Sequence, residues 1–110
     1  MMTGDGGGDN TDMKLLDAAL QKKSVKLVVM HLEKKIDPET PGIGNLCAWL
    51  EEMEKLLAKE DFVKAEYIEM RRKLYDAIEW VPDVEVRHRL RNSWYSYGKA
   101  LEKKAPRNPV

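Results

Sequence analysis

The sequence predicts an all-α protein, a compact bundle of four or five helices in a single domain. Apolar residues recur three and four positions apart along most of the chain, which places them on one face of an α-helix. Prolines and glycines interrupt this pattern in one interior segment, and charged residues make up 35% of the 110 residues, as in a helix-rich protein. No strand pair and no internal repeat are visible, which favours helices packed on helices.

The two ends of the chain are expected to lie outside the bundle. Residues 1–11 are polar and glycine-rich, and they contain too little apolar surface to offset the entropy of ordering. We therefore expect a flexible, disordered tail over residues 1–11 and a helical domain over residues 12–104. Residues 105–110 contain two prolines and are expected to form a flexible C-terminus.

The first helical segment covers residues 12–35, where apolar residues return at helical spacing. Their pattern falters around Ser24, so the segment is either one long helix or two helices joined there. The eight residues from Asp37 to Gly44 contain two prolines and two glycines, and they cannot continue a helix.

Two further stripes predict the next two helices. The first is the cleanest in the chain, with Leu46, Trp49, Leu50, Met53, Leu56 and Leu57 on one face. The second follows an expected cap at Asp61 and consists of Val63, Tyr67, Met70, Leu74, Ala77 and Ile78. The polar run from Glu69 to Lys73 leaves room for a kink or a break in this helix.

The last helix, Pro82 to Lys104, is expected to organise the bundle. Asp83 can cap its first turn. Its stripe contains two large aromatic residues and therefore the most buried area per residue: Val86, Leu90, Trp94, Tyr97 and Leu101. The predicted core comprises Leu46, Trp49, Leu50, Met53, Leu74, Ile78, Leu90, Trp94 and Leu101.

No catalytic or metal-binding constellation is recognisable, which predicts a protein that is not an enzyme and uses neither metal nor cofactor. His31 and His88 lie on different helices, without the spacing of a zinc site. Cys47 is the only cysteine, and no nucleophile-bearing turn surrounds it. No apolar run approaches the roughly 18 residues of a membrane span, and the N-terminus lacks a signal-peptide core, which favours a nuclear or cytoplasmic protein without a membrane partner.

Charge is balanced overall but unevenly distributed. Nineteen basic and nineteen acidic residues cancel, yet residues 37–69 hold nine acidic and three basic residues, and residues 87–107 hold seven basic and one acidic. This gradient leaves room for a basic face that binds nucleic acid as a secondary function. Its members would be Arg87, Arg89, Arg91, Lys99, Lys103 and Lys104.

Trp80 differs from the other two tryptophans. Trp49 and Trp94 fall on core stripes, whereas Trp80 precedes Val81 and Pro82 at a turn between two helices. An exposed aromatic residue at such a turn is a typical anchor for a peptide partner. The alternative is a tryptophan that closes one end of the bundle.

Several short motifs point to a known family. The entry to the last helix reads Asp83-Val84-Glu85-Val86-Arg87, and Tyr97-Gly98-Lys99 stands near its end. Earlier, Lys35-Ile36-Asp37 is followed by Ala48-Trp49-Leu50-Glu51-Glu52-Met53. These motifs resemble the N-terminal helical domain of transcription elongation factor TFIIS and its relatives, including the integrase-binding domain of the chromatin tether LEDGF. The chain departs from the family where Tyr97-Gly98-Lys99 replaces the usual Trp-Lys pair.

The resemblance implies a non-catalytic domain that docks short disordered peptides of transcription or chromatin proteins. It implies a site in two loops, formed by Ile36, Asp37, Trp80 and Val81. Helix ends on the same side of an up-and-down bundle bring such loops together. Trp80 and Val81 would then supply the apolar anchor, and Asp37 would accept a hydrogen bond from the partner. The alternatives are a helical module that self-associates through exposed stripe residues and the basic-face nucleic-acid binder, with a monomer as the favoured state.

Overall fold

Four helices make up the computed structural model, which describes the backbone of residues 4–105 and the side chains of residues 16–105. They are α1 (Gly4–Lys35), α2 (Gly44–Ala58), α3 (Lys64–Glu79) and α4 (Val84–Leu101). No strand occurs in the described backbone, which confirms the all-α class.

The first segment is one continuous helix and not two, since α1 passes through Ser24 without a break. Val25, Val29 and Leu32 are at most 3% exposed there, and their burial outweighs the weak helix preference of valine. α1 begins at Gly4, inside the predicted tail, but the side chains of residues 1–15 lie outside the described residues. The flexibility of that tail stays a prediction, and the predicted flexible C-terminus lies outside the described residues beyond Ala105.

The ends of α3 and α4 are fixed by different contacts. Asp83 caps α4 as predicted, because its carboxylate accepts the backbone N–H groups of Glu85 at 2.9 Å and Val86 at 3.2 Å. The prediction that Asp61 caps α3 is wrong, since the capping residue is Val63 and no side chain caps it. The Phe62 ring instead stacks on Tyr67 with centroids 4.7 Å apart, which is a hydrophobic staple across the first turn.

The polar run does not break α3, since the helix continues without interruption through residues 69–73. Arg72 lies in the middle of this polar run and pairs with Glu69 one turn before it and with Asp76 one turn after it, the latter at 3.2 Å. Such pairs on an exposed helix face support the helical conformation.

The four helices form a ring in which each packs on its neighbours in the chain and α1 packs on α4. At one end, the 36–43 loop lies against the 80–83 loop. At the other end, Gln21 donates a side-chain hydrogen bond to the Lys103 carbonyl at 3.0 Å, and Lys22 donates to the Lys59 carbonyl. The connections therefore alternate between the two ends, as in an up-and-down bundle.

Eight of the nine predicted core residues are buried, namely Leu46, Trp49, Leu50, Met53, Leu74, Ile78, Leu90 and Leu101. The ninth, Trp94, is only partly buried, which corrects the prediction. Its indole lies at the edge of the core, beneath the guanidinium of Arg71. Tyr67 and Tyr97 fill the centre and are completely buried.

Candidate functional site

Trp80 is the most exposed of the large apolar side chains that the structure describes, with 69% of its surface open to solvent. Its backbone is nevertheless fixed at the end of α3. The Trp80 N–H donates to the Ala77 carbonyl at 3.3 Å, and the next N–H, of Val81, donates to the Ile78 carbonyl at 3.0 Å. The indole therefore does not close the end of the bundle, and it is presented to solvent from a defined backbone.

Val81 does not belong to the exposed anchor that the sequence predicts. Its side chain is completely buried in the core. The same turn therefore exposes Trp80 and buries Val81. A partner at the surface cannot reach it.

The two predicted loops do lie together, and Gly42 is the point of closest approach. Its φ of 78° lies in the left-handed region that favours glycine. A Cβ atom at this position would lie 2.7 Å from the Trp80 carbonyl oxygen and 2.8 Å from Cδ of Pro82. The 36–43 loop therefore supports the backbone of the turn that carries Trp80.

The two remaining predicted residues, Ile36 and Asp37, lie at this end of the bundle but not beside Trp80. Ile36 is half-buried and packs against the core. Asp37 is exposed, and one of its carboxylate oxygens already accepts the Glu39 N–H at 3.0 Å, a local turn contact. Asp37 lines a depression together with Arg89, in the second turn of α4, and Trp80 is not part of its lining.

Trp80 instead closes one end of a groove between α2 and α3. Near Trp80 the floor is apolar, formed by Trp49 and by two small residues, Ala48 and Ala77, that let the surface recede. Asn45, Glu52, Lys73 and Asp76 form the polar walls. None of these residues was expected in a site, because the sequence does not show which faces of α2 and α3 adjoin.

The groove continues along both helices beyond this first part. Its second part is lined by Glu52, Lys55, Leu56, Lys59, Ala65, Glu66, Glu69, Met70 and Lys73. Glu52 and Lys73 belong to both parts and form an ion pair across the groove, with nitrogen and oxygen 3.6 Å apart. We call the whole feature, from Trp80 to Lys59, the α2–α3 groove.

A hydrogen bond in its floor joins the two sides of the α2–α3 groove. The buried Trp49 indole N–H of α2 donates to the Met70 carbonyl of α3 at 2.8 Å. The Trp49 ring also meets Tyr97 of α4 edge-on, with centroids 5.9 Å apart. The Trp49 side chain therefore ties α2 to α3 through the hydrogen bond and to α4 through the ring contact.

The predicted basic residues do not form one face. Arg87 and Arg91 are partly buried one turn apart, and Arg91 pairs with Glu79 of α3 at 2.8 Å. That hydrogen bond raises the pKa of Arg91 further, and the positive charge of Arg91 is balanced by the carboxylate of Glu79. Arg89 and Lys99 are exposed on α4, and Lys103 and Lys104 are exposed beyond its end.

Other chemically active groups are dispersed. His31 and His88 are exposed on different helices, and Cys47 is a partly buried free thiol. Among the described residues, no three histidine, cysteine, aspartate or glutamate side chains lie close enough to hold a metal ion. Within the same part of the chain, no helix combines the length and the apolar character that a bilayer crossing requires.

Comparisons with protein-family models, with curated proteins and with solved structures found no match for this chain. The resemblance to the TFIIS N-terminal family therefore depends on the short motifs alone and stays a hypothesis.

Proposed function

We propose that this chain is a non-catalytic protein-interaction domain that binds a short disordered peptide in the α2–α3 groove. The observation that carries the proposal is the 69% exposure of Trp80 at the mouth of that groove. Leaving an indole in water forgoes its large burial energy, and tryptophan is among the commonest hot-spot residues of interfaces. A partner side chain packed on Trp80 would recover that energy.

The groove favours a peptide that combines an apolar side chain with a basic one. Ala48 and Ala77 leave room for an apolar side chain beside the indole. The acidic wall residues Glu52 and Asp76 are paired with Lys73 and Arg72, but these pairs are exposed. Exposed pairs contribute only about 0–1 kcal/mol, so a lysine or arginine of the peptide can replace them at little cost.

The rigidity of the site supports the same function. The bond between Trp49 and Met70 fixes the groove, and the contact of Gly42 with the Trp80 carbonyl fixes the turn. A preorganised site loses little conformational entropy on binding, so that most of the ordering cost falls on the peptide. By the resemblance described above, we extend the proposal to peptides of transcription or chromatin proteins in the nucleus.

The test is selection of peptides from a displayed random library on the wild-type domain, with removal of those that also bind Trp80→Ala. The dissociation constants of the selected peptides are then compared among wild type, Trp80→Ala and Tyr95→Ala. Tyr95 is the matched control, an aromatic residue 60% exposed on α4. We expect a loss of roughly 30-fold or more for Trp80→Ala, the size of a hot-spot contact, and no change for Tyr95→Ala.

Two outcomes would contradict the proposal. One is a selection that yields no peptide dependent on Trp80. The other is a set of peptides whose affinity falls equally in the Trp80→Ala and Tyr95→Ala variants, because any exposed aromatic residue would then serve.

A further inference from the structure

The helix α1 is apolar on two opposite sides. The inner side carries Val25, Val29 and Leu32, which are 0–3% exposed against the rest of the bundle. The outer side carries Leu16, Leu27 and Met30, which are 60%, 50% and 48% exposed. A helix that only covers a core needs one apolar side, so the second apolar side calls for a second partner.

The outer side has the spacing of a coiled-coil seam. Its positions follow one another at alternating steps of four and three residues: Leu16, Leu20, Lys23, Leu27, Met30 and Lys34. Val25 and Leu32 stand at the heptad position opposite this seam and are completely buried in the bundle. A helix docked on these six positions, which we call the outer seam, would therefore leave the core of the bundle undisturbed.

We infer that the outer seam pairs α1 with α1 of a second copy of this chain. The two helices run antiparallel, and the two-fold axis between them crosses the seam at the level of residue 25. In that register Leu16 faces Lys34 of the second copy, Leu20 faces its Met30, and Lys23 faces its Leu27. Each lysine then lies against a leucine, where its aliphatic stem can cover the leucine while the ammonium group reaches water.

The charges on the outer seam select this arrangement over others. A parallel pair in register would place Lys23 against Lys23 and Lys34 against Lys34, two like-charge contacts in the interface. An antiparallel pair moved by one heptad toward the C-terminus would place Lys23 against Lys34. Only the register centred on Val25 uses all six positions and opposes no two lysines, so the outer seam is complementary to itself.

The size of the outer seam predicts a weak and reversible dimer. From residue 16 to residue 34 it is about 27 Å long at the α-helical rise. A strip about 10 Å wide over that length buries about 540 Å² in total, less than half of the roughly 1,200 Å² at which stable interfaces begin. At low protein concentration the chain is then the monomer that the sequence led us to expect, and the dimer forms only at high concentration. The α2–α3 groove lies on other helices, so this inference stands or falls independently of the proposed peptide site.

The first test is sedimentation equilibrium of the full chain from micromolar to millimolar concentration. We expect the average mass of wild type to rise above 12.7 kDa with concentration and that of Leu27→Asp to stay there. Ile68→Asp is the matched control, because Ile68 is also 50% exposed but lies on α3. Equal helical circular dichroism of the three proteins shows that the variants fold.

A wild-type protein that stays monomeric to 1 millimolar would overturn the inference. The same holds if Ile68→Asp weakens self-association as much as Leu27→Asp, because the contact would then not be specific to the outer seam.

The second test determines the orientation in a Cys47→Ser background with a short bis-maleimide cross-linker. Leu16→Cys and Lys34→Cys proteins are treated singly and as a mixture. The antiparallel register brings position 16 close to position 34 of the second copy and keeps identical positions about 27 Å apart. We expect cross-linked dimers only in the mixture, and cross-linking within either protein alone would overturn the antiparallel pairing.

Discussion

The indole N–H of Trp94 donates a hydrogen bond to the Arg71 carbonyl at 2.9 Å, while the Arg71 guanidinium lies over the same ring, 4.3 Å from its centre. These two residues therefore join α3 to α4 twice. Gly98, one turn beyond Trp94, makes the approach possible, since a Cβ atom there would lie 2.6 Å from Nε of Arg71. The arginine takes the place of a core side chain over Trp94, which explains why this tryptophan lies at the edge of the core.

Replacement of Arg71 by alanine should lower the free energy of unfolding by about 0.5–2 kcal/mol, the range of a partly desolvated cation–π contact. Arg72→Ala, the neighbouring control, removes only exposed ion pairs with Glu69 and Asp76 and should cost less than about 1 kcal/mol. Urea denaturation measures both. A larger loss for Arg72→Ala than for Arg71→Ala would show that the contact with Trp94 contributes little.

Two glycines at the ends of one turn should respond differently to alanine. Gly42→Ala should destabilise the protein by more than about 1 kcal/mol, because φ is 78° and the new Cβ would meet the Trp80 carbonyl. Gly44 begins α2 and has nothing within 4 Å of an added Cβ, so Gly44→Ala should be neutral or stabilising. Thermal unfolding distinguishes them. Equal midpoints would contradict the close approach of the two loops.

Alanine substitutions at Trp80 and Val81, adjacent residues in the α3–α4 turn, should have different effects on stability. Trp80→Ala should change the free energy of unfolding by less than about 0.5 kcal/mol, as for an exposed side chain. Val81→Ala should cost about 1–3 kcal/mol, because Val81 is completely buried. Denaturant unfolding of the two variants tests the assignment. A large loss for Trp80→Ala would show that the indole stabilises the fold and would remove the proposed anchor.

Alkaline pH should lower the stability of the fold, because two tyrosines are buried in its core. Burial is the largest cause that raises the pKa of Tyr97 and of Tyr67 above the ordinary value of 10.0. The folded protein therefore keeps protons that the unfolded chain releases above about pH 10. Stability is complete below that pH and falls above it, by up to about 1.4 kcal/mol per pH unit for each tyrosine.

The Tyr97→Phe variant isolates one of these groups. At pH 7 it should be about 1 kcal/mol less stable than wild type, because the Tyr97 hydroxyl donates to the Tyr67 carbonyl at 2.9 Å. By pH 11 the difference in stability between the two proteins should shrink or change sign. Wild type loses stability there because Tyr97 ionises in the unfolded chain, whereas phenylalanine has no group that ionises. Urea denaturation at both pH values measures it, and a constant difference would contradict the buried, protonated hydroxyl.

The helices and most of the core could be predicted from the spacing of apolar residues along the chain. Asp83 caps α4 through a contact two and three residues away, and the prolines and glycines after Asp37 end the first helix without help from the rest of the chain. Both effects are local, so they can be read from spacing. The heptad steps of the outer seam were equally present in the sequence, but burial was needed to separate them from the stripe that faces the core.

Which of the candidate functional side chains are exposed to solvent depends on the tertiary structure. Spacing places Trp80 and Val81 side by side, but only the packing of α3, α4 and the 36–43 loop turns one outward and the other inward. The α2–α3 groove likewise depends on residues far apart in the chain, such as Glu52 and Lys73, that meet only when the two helices pack. Which face of a helix is apolar is a property of the chain, whereas what covers that face depends on where the neighbouring helices lie.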